Sequence, residues 1–93
     1  MISCDSVKTF WLTATAGKAL DNDQLDKAIT KYEKLIELHP DDYTNYWNLG
    51  VADAHKGDWV NAKKQAKKLE ELGRNDLANE MYQYLKEKEN TQK

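Results

Sequence analysis

Slid against itself by 34 residues, this chain coincides with itself at the positions that carry structure. Ala28 falls on Ala62, Lys34 on Lys68, Leu35 on Leu69, Glu37 on Glu71 and Leu38 on Leu72. Similar residues also meet: Leu12 with Tyr46, Ala16 with Gly50, and Leu25 with Trp59. A fixed period of this size marks a repeat architecture, in which each unit is one supersecondary element stacked on its neighbours. The matched positions are mostly small or apolar and recur at helical spacing. The chain therefore reads as two related units.

Each unit reads as two helices. In the first, Phe10, Trp11, Leu12, Ala16, Ala19 and Leu20 form an apolar stripe at three- and four-residue steps. Asn22-Asp23 interrupts it and offers a cap for the next helix. Leu25, Ala28, Ile29, Tyr32, Leu35, Ile36 and Leu38 form the second stripe, ended by Pro40, which cannot continue a helix. The second unit repeats the scheme. Asp41 or Asp42 caps a helix with Tyr46, Leu49, Gly50 and Ala52, and Gly57-Asp58 makes a turn and a cap. Trp59, Ala62, Ala66, Leu69 and Leu72 follow, stopped by Gly73. A fifth stripe, Leu77, Ala78, Met81, Tyr84 and Leu85, closes the array. Small residues let each hairpin close, with Ala16 or Gly50 expected opposite Ala28 or Ala62.

The expected class is all-α, an array of about five antiparallel helices. Its divisions are an N-terminal tail over 1–8, one repeat over 9–42, a second over 43–76, a capping helix over 77–89 and a frayed tail over 90–93. The chain has 93 residues, 40% hydrophobic and 32% charged, enough for one core. Its net charge of −2, with both signs interspersed, lacks the basic surplus of a nucleic-acid binder. A single cysteine, Cys4, allows no internal disulfide framework. No apolar run approaches the roughly 18 residues of a membrane span. Met1-Ile2-Ser3-Cys4-Asp5 loosely resembles the end of a lipoprotein signal, but the basic and apolar regions before it are missing. A cytoplasmic protein with an incidental thiol is favoured; a membrane-anchored lipoprotein would require a trimmed chain.

Tyr46-Trp47-Asn48-Leu49-Gly50, then Gly57-Asp58-Trp59, then Ala62, resembles the signature of the tetratricopeptide repeat family. Ala16, Leu25, Ala28, Tyr32, Leu35 and Pro40 follow the same pattern in the first unit. The resemblance covers about Thr9 to Asp76, and Leu77 to Glu89 is similar to the solvating helix that caps such arrays. The sequence departs from the pattern at Asp53, where the family has an aromatic residue, and at Arg74, near the place of a closing proline.

The resemblance implies a right-handed superhelix that holds a peptide or helix of another protein on a concave face built from the first helix of each unit. Counting from the core positions places Phe10, Thr13, Gly17 and Leu20 on that face from unit one. Trp47, Asn48, Val51 and His55 come from unit two, and Tyr82 and Lys86 from the capping helix. Trp47 follows the core residue Tyr46, and about 100° of helical rotation carries it off the core stripe. It is a candidate binding hot spot; the alternative is packing against Tyr82 or Phe10 inside the stack. Of the family's carboxylate-clamping set only Asn48 is matched, which argues against a chaperone-tail clamp.

Lys63, Lys64, Lys67 and Lys68 read as a solvated stripe balanced by Glu70 and Glu71. No phosphate loop, zinc-ligand spacing or nucleophile–base pair occurs, so no catalytic role, cofactor or metal is expected. The second class in play is a self-assembling scaffold, because Phe10 and Trp11 on the opening helix have nothing before them in the stack. They need either the tail Met1 to Val7 or another copy, as in a homodimer, to cover them.

Overall fold

The computed structural model describes residues 4–91 and contains the five expected helices. They are α1 (Cys4–Asp21), α2 (Leu25–Leu38), α3 (Tyr43–Lys56), α4 (Trp59–Glu71) and α5 (Asn75–Thr91), with no strand among the described residues. Each helix packs on the next, and α3 also touches α5, so the chain is an all-α helical repeat array.

The connections explain the boundaries. Pro40 sits between α2 and α3, where the Asp42 carboxylate accepts from the Thr44 N–H at 3.0 Å. Gly57 ends α3 at a φ of 85°, which a residue with a Cβ adopts only under strain, and Asp58 then caps α4 by accepting from the Asn61 N–H at 3.2 Å. The first connection differs from expectation. Neither Asn22 nor Asp23 caps α2, because the N-cap position falls on Gln24, whose side chain makes no capping bond. Asp23 takes the left-handed position of the turn, at a φ of 62°. Backbone bonds close the turn instead, with Gln24 N–H donating to the Ala19 carbonyl at 2.8 Å.

The opening helix is longer than the sequence reading allowed. It begins at Cys4, so residues 4–8, expected as a tail, extend α1 and do not fold over Phe10 and Trp11. No glycine or proline lies between Cys4 and Phe10, so nothing halts propagation. The expected covering by Met1 to Val7 therefore fails for residues 4–7, and residues 1–3 lie outside the described chain. At the other end α5 runs through Thr91, past the point where fraying was expected, and residues 92–93 lie outside.

Two clusters form the core. One joins Leu12, Ala16 and Ala19 of α1, Ala28, Tyr32 and Leu35 of α2, and Leu49 of α3. The other joins Tyr46 and Ala54 of α3, Ala62, Ala66 and Leu69 of α4, and Ala78, Met81 and Leu85 of α5. Ile36 packs against both. Burial of each large side chain contributes about 1.5–3 kcal/mol. Phe10 and Trp11 stand outside the first cluster, 77% and 55% exposed, because only α2 packs closely along α1. Gly50 makes room for α5 as well as for α4: a Cβ there would lie 2.5 Å from the Met81 sulfur and 3.3 Å from the Gln65 Cβ.

Candidate partner-binding face

The exposed face of α3 is fixed by what the other side buries. Asn45, Tyr46, Leu49, Gly50, Ala52, Asp53 and Ala54 are buried, which leaves Asn48 and His55 on the outer side with Thr44, and Val51 between them packed in part against the second cluster. Asn48 and Val51 are half-buried and His55 is exposed. The 34-residue register carries this stripe onto α1 as Phe10, Ala14, Gly17 and Asp21. Ala14 and Asp21 were not among the expected groove residues, although the repeat period points to them. Gly17 faces open space, with nothing within 4 Å of where a Cβ would be.

Trp47 is neither free nor fully enclosed. It is half-buried against the second cluster and forms one wall of a depression of about 590 Å³ between α3 and α5. The opposite wall comes from Asn79, Glu80, Gln83, Tyr84 and Glu87. The indole thus packs in part, with α5 rather than Phe10 as its neighbour. Lys88 stands 5.7 Å from the Tyr84 ring and adds positive charge close to this wall.

Other expected members are dispersed. Thr13 is exposed on α1, in register with Trp47. Leu20 turns into the first cluster. Tyr82 faces α4: burial first, and then a hydrogen bond with Glu70, hold its hydroxyl above the ordinary tyrosine range. Lys86 is exposed on the outer face of α5, beside Gln83. Sequence reading could not fix the rotation of α5, because its stripe falls out of the 34-residue register by one residue.

Two further groups shape the surroundings. Asp53 is 3% exposed, and burial pushes its carboxyl up to about 7. Asp58 and Glu33 push it the same way, and Lys56 pulls it down. At the open end, Val7, Phe10 and Trp11 make a contiguous apolar strip, in which Lys31 reaches over the Trp11 ring at 4.1 Å and donates to Thr15 at 3.0 Å. The histidines do not converge: His39 is hydrogen-bonded to Thr9 at 2.7 Å, and His55 lies on the α3 face.

A family model described as TPR repeat matches residues 20–57, from the end of α1 through α2 and α3. The match straddles the boundary between the two units, and the whole five-helix array is consistent with that repeat. No curated protein and no solved structure matches the chain. No helix among the described residues is long and apolar enough to cross a membrane.

Proposed function

From a helical array that carries a tetratricopeptide repeat at residues 20–57, a repeat that generally mediates protein–protein interaction, we infer that this chain is a non-catalytic adaptor. It holds a peptide or helix of a partner along the face formed by α1, α3 and α5. The observation that carries this reading is the half-open indole of Trp47 at the α3–α5 depression, continuous with Asn48, Val51 and His55. A rigid aromatic with one face packed and one free suits a binding anchor, since little conformational freedom is left to lose on binding. Phe10, Thr13 and Gly17 extend the face on α1, and Gln83 and Tyr84 line it on α5.

The test is a photo-crosslinking side chain placed at Val51 and, as control, at Val60, which is 74% exposed on α4. Adducts to another protein at position 51, lost on Trp47→Ala, support the reading. Equal or stronger labelling at position 60 counts against it.

A second reading is favoured by the strip of Val7, Phe10 and Trp11. The outer face of α5 presents Asn79, Gln83, Lys86 and Asn90, all exposed and polar. Head-to-tail stacking would press apolar on polar, whereas a two-fold pairing through α1 presses apolar on apolar and closes at two copies. Mass in solution across a concentration series decides between an adaptor that remains monomeric and a scaffold that pairs.

A further inference from the structure

On the side of α3 opposite Val51 and His55, a trough of about 660 Å³ runs between α2 and α4. Leu49 lies two residues from Val51, which on a helix is about 200° of rotation, so the two faces are separate. The floor of the trough carries Ile36 and Leu49 with Tyr46, whose ring is fixed by donation of its hydroxyl to the Pro40 carbonyl at 2.9 Å. Its walls differ in sign. Glu33 and Glu37 stand on the α2 side, and Lys64, Lys67 and Lys68 on the α4 side with Glu71 at its end, so the α4 wall keeps a basic surplus.

These charges are not spent on each other. The ion pairs in its walls stay within single helices, Lys34–Glu37 at 3.8 Å and Lys68–Glu71 at 3.3 Å, and neither crosses the trough. Glu33, Lys64 and Lys67 join no ion pair among the described residues. An apolar floor between an acidic and a basic wall specifies its occupant by charge complementarity.

We propose that the α2–α4 trough docks an amphipathic helix of a partner protein whose apolar stripe is flanked by basic residues on one edge and acidic residues on the other. The basic edge lies against Glu33 and Glu37, and the acidic edge against Lys64 and Lys67. Turning such a helix end for end would bring like charges together, so the walls also fix its direction. A helix with both edges of one sign gains on one wall and is repelled by the other. The lysine run, read from sequence as a solvated stripe, becomes half of a recognition pair. This surface is independent of the face around Trp47.

The test uses three fluorescent synthetic helices with the same leucine stripe: one with glutamate and lysine edges, one with two glutamate edges, one with two lysine edges. Wild-type protein is expected to bind the mixed-edge helix about tenfold more tightly than either other, the gap narrowing as salt is raised. The double variant Glu33→Lys/Glu37→Lys, checked for unchanged helicity, should shift its preference to the helix with two glutamate edges. No binding, equal affinities, or a preference unmoved by the double variant would overturn the proposal. Binding lost on Trp47→Ala but insensitive to the walls would place the helix on the other face, leaving the adaptor reading intact.

Discussion

Asp53 stands where an aromatic residue would fit the repeat, and it is held among carboxylates. Unfolded, it ionises near 3.8; folded, it keeps its proton up to about 7. Folding takes up a proton between those values, so the stability linked to this group is full below the lower one and is lost as pH rises through 7. Asp53→Asn should therefore raise the melting temperature by several degrees at pH 8, with the gain shrinking as pH falls toward 4. A constant gain across pH would show that ionisation is not what costs stability. The glycines make a paired prediction. Gly17→Ala, into open space on a helix, should stabilise by roughly 0.5–1 kcal/mol. Gly50→Ala drives a methyl against the buried end of Met81, which must turn aside, so the helix gain is offset and the variant should melt below Gly17→Ala.

At the scale of elements, the caps are individually exposed to test. Asp58→Ala removes the carboxylate that holds the Asn61 N–H at the start of α4 and should cost about 1 kcal/mol in chemical unfolding. Such stops and starts were legible in the sequence because they depend on local chemistry: Pro40, Asp42, Gly57-Asp58 and Gly73 each act within a few residues. The small core residues Ala28 and Ala62 were legible through the repeat period. The outward turn of Phe10 and Trp11 was legible too, since nothing precedes them in the stack and only α2 packs closely along α1. What lay beyond the sequence was set by neighbours. Tyr82 and Trp47 were expected side by side, but the one-residue shift of α5 turns Tyr82 toward Glu70 and brings Gln83 and Tyr84 to Trp47. Because Trp47 packs against the second cluster, Trp47→Ala should lower the melting temperature modestly while leaving the helical signal unchanged.

At the scale of the molecule, the chain is a stack in which each helix packs mainly on its sequence neighbours. Stability in such stacks is approximately a sum of local terms and interfaces. Here the two core clusters meet at Ile36, the one side chain of α2 that packs against both. Ile36→Ala should therefore do more than remove a buried group. It should loosen the agreement between the halves, and hydrogen exchange should report α1 and α2 opening at lower free energy than α4 and α5. In the intact protein that branched side chain is placed like a dowel through a joint: with it seated, the two hairpins are expected to melt as one body, and with it cut back, as two.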